Sequence, residues 1–215
     1  MKISILVSSP THPVNIFLGK WVKQNSIYHE IDIFHSKNEL IEGDILFLIS
    51  CEEIIRKSIR DRYKKTLIVH ASDLPLGKGW SPHIWEIING ASEVKVSLIE
   101  AEDEIDSGDI WTKINVLVPK NYLYDEINEL IFNAEIKLMS FAIANFNIVK
   151  PSKQDKKKST YWPKRSSKDS EIDLKKTLDE QFDLIRVCDP SRFPAFFYKN
   201  GKKYRISVSR FPESK

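Results

Sequence analysis

Short runs of apolar residues alternate with amphipathic segments through the N-terminal third of the chain. The runs are rich in Ile, Val, Leu and Phe and cover residues 3–7, 31–34, 44–49 and 66–69. Several of them are too continuous for half-exposed strands, so they are typical of central strands covered on both faces. Because segments 12–24 and 52–60 between them have helical spacing, the pattern predicts an α/β fold with a mainly parallel sheet.

Residues that favour helix ends support these two early helices. Thr11 is placed to cap the N-terminus of the first helix, with Pro13 near its first turn. The second helix would bring Ile54, Ile55 and Ile59 onto one face. We therefore expect both segments to be helical over their full length.

The middle of the chain continues the pattern. A helix over residues 82–89 is expected to open with Ser81 as its cap and Pro82 at its first helical position. Residues 93–101 alternate as a further strand, and residues 124–145 form a long helix. Its apolar side chains recur at spacings of three and four: Ile127, Leu130, Ile131, Ala134, Leu138 and Phe141.

The composition changes after residue 149. Residues 150–158 are polar and rich in lysine, and they have no apolar face, which favours a linker or mobile loop. Its alternative role is an electrostatic handle for a phosphate or an RNA. We therefore expect one domain over residues 1–149, followed by a linker and a small C-terminal α+β subdomain over residues 150–215.

The expected subdomain contains a short helix and a hairpin. The helix is predicted around residues 174–187, and the hairpin has aromatic strands on either side of Asn200-Gly201, a strong turn signal. Exposed aromatic residues are enriched at interfaces, so this hairpin is the candidate interface of a homodimer.

The positions of the seven glycines exclude several common sites. Dinucleotide and P-loop sites need glycines after the first strand, where backbone approaches phosphate, and residues 8–13 contain none. The chain also lacks the Gly-x-Ser-x-Gly elbow of the α/β-hydrolases. A nicotinamide dehydrogenase, an ATPase and a serine hydrolase of that type are therefore excluded.

Cysteine use and charge set further limits. Cys51 and Cys188 have no metal-ligand spacing, so we expect no metal and interpret both as small buried hydrophobes in a reducing compartment. The net charge of +3 does not call for a nucleic-acid partner. With no leader-like N-terminus and no membrane-length apolar run, a cytoplasmic location is expected.

One histidine and one acidic turn are the candidate catalytic groups of the chain. His70 ends an apolar run and is followed by a loop with Leu74-Pro75 and two glycines, and a turn of sequence Asp-Ser-Gly-Asp begins at Asp106. A histidine and a carboxylate, each placed by a strand end or a tight turn, are a minimal set for acyl transfer. An enzyme is therefore the leading interpretation.

These motifs resemble the folate-dependent formyltransferases, which include tRNA-directed and sugar-nucleotide-directed members. His70 with Leu74-Pro75 resembles the family's histidine and Leu-Pro loop, and Asp106-Ser107-Gly108-Asp109 resembles its Asp-Thr-Gly-Asp turn. The segments 161–165, 169–173 and 186–201 are similar to the stretch that follows the catalytic domain, and the resemblance extends over residues 40–210. It implies the Rossmann-like formyltransferase fold and transfer of a formyl group from N10-formyltetrahydrofolate to an amine.

The resemblance also implies roles for the two central residues. His70 would donate a hydrogen bond to the oxyanion, and Asp106 would orient the imidazole and help to remove the proton of the amine. Asp109 is expected to serve the turn, although it is a rival for the catalytic role. The family usually has an asparagine where this chain has Ile68, so Ser72, Ser81 or a backbone N–H group is expected to substitute for it.

Two sets of binding residues follow from the resemblance. Folate is expected against the strand end and the loop before the acidic turn: Ile49, Ser50, Cys51, Glu102, Asp103, Glu104 and Ile105. The amine substrate is expected against the loop after the histidine: Ser72, Lys78, Gly79, Trp80 and Ser81. There two glycines allow close backbone approach, and the tryptophan offers an aromatic platform.

The expected acceptor is a small amine, because tRNA-directed members carry a larger C-terminal domain than the short stretch after residue 149. The loop 77–82 is most similar to that of enzymes acting on UDP- or dTDP-linked amino sugars in surface-glycan pathways, including that of pseudaminic acid. Two alternatives stay open. Ile68 favours a non-catalytic homologue that binds folate or a sugar nucleotide, and residues 150–158 favour an RNA-directed protein.

Overall fold

The computed structural model describes residues 1–211, so the last residues of the expected C-terminal part, 212–215, lie outside the described residues. The strands are β1 (Lys2–Leu6), β2 (Glu30–Phe34), β3 (Gly43–Leu48), β4 (Tyr63–His70), β5 (Lys78–Gly79), β6 (Glu93–Glu100), β7 (Ile110–Leu117), β8 (Tyr161–Trp162), β9 (Ala195–Lys199) and β10 (Lys202–Ile206). The helices are α1 (Val14–Asn25), α2 (Lys57–Arg60), α3 (Pro82–Ile88), α4 (Tyr124–Ala144) and α5 (Leu178–Arg186).

Six strands form the central sheet in the order β2-β1-β3-β4-β6-β7. The first four of these are parallel, and β6 and β7 are antiparallel to their neighbours. This confirms the predicted α/β fold with a mainly parallel sheet. Open sheets of this kind bind ligands beyond the carboxyl ends of their parallel strands, which is where β4 ends at His70.

Apolar residues cover both faces of the sheet. One face packs with α1, α3 and α4 into the larger core, which includes Leu18, Trp21, Phe47 and Leu138. The opposite face carries a smaller cluster: Leu6, Leu40, Leu46, Leu48, Ile55 and Tyr63. Because the central strands are covered twice, their sequences read as continuous apolar runs, as the sequence pattern predicted.

The two early helices are shorter than expected. Helix α1 begins at Val14 with Pro13 at its N-cap, and the Thr11 hydroxyl pairs with Ser9 instead of capping the helix. The prediction that Thr11 caps this helix was therefore wrong. Pro13 is itself in the helical region of backbone space, which moves the start of the helix beyond the reach of Thr11.

The predicted helix over residues 52–60 is helical only in α2. The Glu53 carboxylate accepts a hydrogen bond from the backbone N–H of Lys37, and the Arg60 guanidinium donates to the carbonyl of Ile55. These contacts hold the preceding residues in an irregular loop. Ile54 is 59% exposed in that loop, so the expected apolar face of three isoleucines does not form.

Helix α4 matches the predicted long helix and buries one side against the sheet. Its buried residues include Ile127, Ile131, Ala134 and Leu138, as the spacing predicted. One buried residue on that side, Glu135, has an ionisable side chain and is only 6% exposed. Its Oε2 atom has no hydrogen-bond partner within residues 1–211.

The C-terminal part contains α5 and the antiparallel pair β9–β10, and the hairpin predicted about Asn200-Gly201 is confirmed. A separate small apolar cluster holds it together: Ile172, Ile185, Cys188 and Ala195. The division of the chain at residue 149 stays a prediction. None of the described helices is both long and apolar enough to cross a membrane.

Candidate active site

The fold brings His70 and Asp106 together. His70 ends β4, and Asp106 lies in the loop that connects β6 to β7. The Nδ1 atom of His70 is 3.6 Å from the Oδ1 atom of Asp106, and the two side chains are 10% and 9% exposed. They form a largely buried pair at the carboxyl end of the parallel strands, as the resemblance implies.

Both ring nitrogens of His70 face acceptors. The Nε2 atom is 2.9 Å from the carbonyl oxygen of Gly77, and the Nδ1 atom faces the Asp106 carboxylate. An imidazolium carries two N–H donors and satisfies both partners, whereas the neutral ring has only one. The Asp106 carboxylate accepts a further bond of 2.8 Å from the backbone N–H of Gly79. The loop after His70 therefore holds both members of the pair.

The acidic turn has an unusual backbone. Asp106 has a φ of +51°, a left-handed conformation that is uncommon outside glycine. A Cβ atom on Gly108 would lie 1.8 Å from the carbonyl oxygen of Glu100, so only glycine fits there. Asp109 uses its backbone carbonyl to accept from the N–H of Glu100. The turn therefore presents the Asp106 carboxylate to His70, while Asp109 serves the turn.

Lys78 is part of an ion network beside this pair. Its side chain is only 9% exposed, and its ammonium lies 3.6 Å from the Glu104 carboxylate. Lys156 donates a 2.8 Å hydrogen bond to the same carboxylate and holds the pKa of Glu104 below its usual range. The network joins a predicted substrate-binding residue to a predicted cofactor-binding residue.

Trp80 and Ser81 lie at the outer edge of the loop. Trp80 is half-buried, and the Lys164 ammonium lies 4.0 Å from the centroid of its ring. Ser81 is exposed at the start of α3 with a φ of +45°, and its side chain makes no capping hydrogen bond. Ser81 is the N-cap residue and Pro82 begins the helix, as predicted, but the Ser81 hydroxyl does not bond to the first N–H groups of the helix.

The structure locates the residues that were expected to substitute for the missing asparagine. Ile68 lies two residues before His70 on the same face of β4, and it packs in the smaller cluster with Cys51 and Ala101. Ser72 is fully buried, and its hydroxyl has no hydrogen-bond partner among residues 1–211. The position of the asparagine is therefore apolar, and the unpaired hydroxyl of Ser72 is enclosed in protein.

The two segments expected to bind folate lie at the ends of β3 and β6, the strands on either side of β4. We call the region between these two segments the gap, and Arg60 of α2 pairs with Asp103 of the second segment at 2.9 Å. Residues 102–105 are exposed, Ser50 and Cys51 are half-buried, and Ile49 is fully buried in the larger core. The side chain of Ile49 therefore cannot line a cleft, and its backbone N–H already donates to Leu6.

The chemistry of this gap fits a flat heterocycle. Cys51, Ile68 and Ala101 offer apolar side chains on one side of the sheet, and the exposed backbone of residues 102–105 lies beside them. A pterin ring combines apolar faces with a polar edge that backbone groups can recognise. Within residues 1–211 there is no group of three or more side chains that could hold a metal ion.

Cys51 belongs to the packing of this gap. Burial raises the pKa of its thiol, and the Sγ atom donates weakly to the carbonyl of Glu53. A protonated thiol is a poor nucleophile. We expect Cys51→Ser to keep kcat within about twofold of the wild type, because no thiolate chemistry is lost. Steady-state kinetics would check this, and a large loss of kcat with normal folding would contradict it.

A second histidine lies near His70 and was not expected. His83, in the first turn of α3, has a buried Nδ1 atom without a partner in the described part of the chain. Burial, with smaller contributions from the charges of His70 and Arg165, lowers its pKa to about 4. His83 is therefore neutral at physiological pH.

The sequence pattern also missed a segment that contacts the surroundings of His70 and Asp106. Residues 152–162, which we call the strap, run along the loop that follows His70 and the turn that carries Asp106. Ser152 pairs with Ile110 through two backbone hydrogen bonds of 2.8 Å, and β8 pairs with β5 in parallel. The side chains of Gln154 and Thr160 reach the acidic turn and Gly77. No periodicity or charge pattern distinguishes these residues from an ordinary polar linker.

Comparison with known proteins identifies relatives of this arrangement. A sequence profile described as "Formyl transferase" matches residues 8–143. A methionyl-tRNA formyltransferase from Protochlamydia amoebophila is 28% identical over 173 residues, which cover 79% of this chain and 54% of that protein. The chain thus spans little more than half the length of that relative.

Solved structures show the same fold. A methionyl-tRNA formyltransferase from Clostridium thermocellum has a TM-score of 0.83 and 25% identity, covering 100% of this chain and 95% of the other. A sugar N-formyltransferase from a Shewanella species has a TM-score of 0.73 and 17% identity, covering 100% of this chain and 99% of the other. The second likeness concerns the fold alone.

Proposed function

The chain belongs to the formyl transferase family, and from that premise we propose that it is a folate-dependent N-formyltransferase. The observation that carries the proposal is the buried pair of His70 and Asp106, which lies inside the region that the family profile matches. When bound, N10-formyltetrahydrofolate supplies an electrophilic formyl carbon, and negative charge develops on its oxygen as an amine attacks.

His70 handles the negative charge in this proposal. Its imidazole ring donates a hydrogen bond to the developing oxyanion, and one such donor is typically worth about 3–4 kcal/mol in the transition state. The Gly77 carbonyl holds the Nε2 side of the ring in this structure. In this proposal the N–H group on that nitrogen is shared between the Gly77 carbonyl, which keeps the ring oriented, and the formyl oxygen.

Asp106 handles the proton of the attacking amine. Its carboxylate is anchored through Oδ2 by the Gly79 N–H, while Oδ1 faces the imidazole. A carboxylate held in this way keeps the ring oriented and accepts the proton as the amine loses its positive charge. The cofactor would lie against Ser50, Cys51 and residues 102–105, where apolar side chains flank exposed backbone.

The acceptor that we propose is a nucleotide-linked amino sugar of a surface-glycan pathway. Trp80 directly follows Gly79, whose N–H holds Asp106, so a half-buried aromatic residue lies next to the pair in the chain. Lys164 places an ammonium over that ring, and Lys164 also pairs with Glu52 at 3.0 Å. An aromatic surface beside a cation suits a sugar or base joined to a phosphate.

The experiment that tests the proposal is a turnover assay. The protein is incubated with N10-formyltetrahydrofolate and a panel of UDP- and dTDP-linked amino sugars, and release of tetrahydrofolate is followed. We expect release that depends on one of these amines, with a reaction lacking amine as the control. Ligand-induced thermal stabilisation without turnover would instead indicate the non-catalytic homologue.

Trp80 provides a test of the acceptor side. We expect Trp80→Leu to raise KM for the amino-sugar nucleotide about tenfold with a smaller effect on kcat, because it removes a contact made before and during the reaction. Trp80→Phe keeps an aromatic face and serves as the matched control. Steady-state kinetics that vary the acceptor at saturating cofactor would measure the effect. Unchanged KM in the leucine variant would exclude the ring as an acceptor contact.

A tRNA acceptor is the second candidate, and the similarity to methionyl-tRNA formyltransferases favours it. The lysine-rich residues 150–158 are the part of the chain suited to RNA. Two of these lysines are engaged locally, since Lys156 pairs with Glu104 and Lys158 lies 3.7 Å from Asp155. Methionyl-tRNA is therefore added to the acceptor panel, and its formylation would favour this candidate. Binding of tRNA through the lysines of residues 150–158 should also weaken steeply as the salt concentration rises.

A further inference from the structure

The strap contacts the backbone of both loops that carry the catalytic pair, although it lies outside the region that the family profile matches. Gln154 contacts the turn of Asp106, and Thr160 contacts the loop that bonds to His70. The two contacts are made by different side chains, one on the backbone of the Asp106 turn and the other on the backbone of Gly77, whose carbonyl bonds to His70. They therefore suggest a function for residues that sequence composition assigns to a linker.

Gln154 binds the acidic turn through the backbone carbonyl groups of the turn. Its Nε2 atom donates to the carbonyl oxygen of Asp106 at 2.9 Å and to that of Gly108 at 2.7 Å. A side-chain amide nitrogen has two hydrogens, so both are used and the orientation of the amide is fixed. The left-handed backbone of Asp106 is unfavourable for a residue with a side chain. The two bonds stabilise the one conformation in which its carboxylate faces His70.

Thr160 holds the other loop at the residue that contacts His70. Its hydroxyl accepts a hydrogen bond of 2.8 Å from the backbone N–H of Gly77, and the carbonyl of the same glycine bonds to the Nε2 atom of the imidazole. The next peptide is held as well, because Lys78 donates its backbone N–H to the carbonyl of Thr160 at 2.9 Å. The position of the His70 partner is thus set by the strap.

We propose that Gln154 and Thr160 are positioning residues, which align Asp106 and His70 for formyl transfer by fixing the backbone on which each depends. The proposal rests on the function given above. Misplacement of reacting groups by about 1 Å costs up to about 100-fold in rate, even when no contact with substrate is lost. The strap therefore acts on kcat and has little part in substrate affinity.

The test uses substitutions that keep shape and remove one hydrogen bond. Gln154→Met removes the amide donors, and Thr160→Val removes the hydroxyl. We expect each to lower kcat about 10- to 100-fold with KM and the melting temperature close to the wild type. Thr160→Ser keeps the hydroxyl and should restore most of kcat. Ser159→Ala, at the neighbouring exposed position, is the matched control and should behave as the wild type.

Several outcomes would overturn the proposal. Unchanged kcat in Gln154→Met or in Thr160→Val is one, and failure of Thr160→Ser to restore activity is another. A loss of kcat that is matched by a lowered melting temperature would assign the strap a purely structural role. If Gln154→Met does not fold, Gln154→Glu keeps the length and directs a carboxylate at the two carbonyls, so its kcat should fall at least as far.

A spectroscopic readout separates this proposal from the proposed function. If the wild type transfers no formyl group to any acceptor in the panel, the proposed function fails and kcat cannot be compared. The side-chain nitrogen resonances of His70, measured by NMR, still report the hydrogen bond to Gly77. Thr160→Val should move the Nε2 resonance while Ser159→Ala leaves it unchanged. An unmoved resonance in Thr160→Val overturns the proposal independently of turnover.

Discussion

Asp106→Asn is expected to lower kcat by about 10²- to 10⁴-fold while the protein stays folded, because the variant keeps the shape of the carboxylate and removes its charge. Asparagine can still accept the hydrogen bond from the Gly79 N–H through its amide oxygen. It cannot accept the proton of the amine or stabilise a protonated imidazole 3.6 Å away. Initial rates at saturating cofactor and acceptor would measure the loss.

Three comparisons make this prediction specific. Asp109→Asn is the matched control in the same turn and should retain most of kcat, because the backbone of Asp109 does the structural work there. His70→Ala should cost as much as Asp106→Asn, and the double variant should be little worse than either single one, since the two groups act as a unit. Equal losses in the Asp106 and Asp109 variants, or additive losses in the double variant, would mean that the pair is not catalytic.

The second large effect concerns stability and comes from Glu135. Burial raises the pKa of this carboxyl to about 8, compared with 4.5 for an exposed glutamate. Between these values the unfolded chain releases the proton and the folded chain keeps it, so the protein becomes less stable as pH rises. The loss of stability caused by Glu135 is absent well below pH 4.5, the pKa in the unfolded chain, and it is complete above about pH 8, the pKa in the folded protein.

We expect the wild type to lose about 3.5 kcal/mol of unfolding free energy relative to Glu135→Gln between pH 5 and pH 8, because the full slope of about 1.4 kcal/mol for each pH unit applies only between the two pKa values. Denaturant titrations of both proteins at each pH would measure the difference, and the other titrating groups cancel in the comparison. Glu129→Gln, at an exposed glutamate of the same helix, is the matched control. A pH-independent difference between the wild type and Glu135→Gln would show that Glu135 is not buried as a neutral acid.

Much of the sheet could be predicted because the burial of each central strand is apparent from its own consecutive residues. In residues 44–49 and 66–69 the side chains on both faces of the strand are mostly apolar. This pattern is typical of a strand in a sheet whose two faces are both covered by protein. The helix over residues 52–60 failed for the opposite reason. Its apolar spacing is real, but Glu53 and Arg60 make hydrogen bonds to distant and local backbone that the helix cannot accommodate. Periodicity does not contain such tertiary contacts.

The candidate site divides in the same way. His70 and Asp106 could be singled out because the histidine with its Leu-Pro loop and the Asp-Ser-Gly-Asp turn are local motifs that resemble those of the formyltransferases. The structure adds that they follow strands that neighbour each other in the sheet. Gln154 was missed because its role depends on two backbone carbonyls far away in sequence. Nothing local distinguishes it from the lysines that surround it. The prediction that residues 150–158 are a polar linker described their composition correctly and gave no sign of their contacts.

The order of synthesis gives the strap a further consequence. Proteins begin to fold from their N-terminal part while the ribosome is still extending them. The six strands of the sheet are all complete by Leu117, well before the strap is translated. A nascent chain that has been translated through α4 but not through the strap would therefore contain all six strands and lack the two contacts that we propose to align His70 and Asp106.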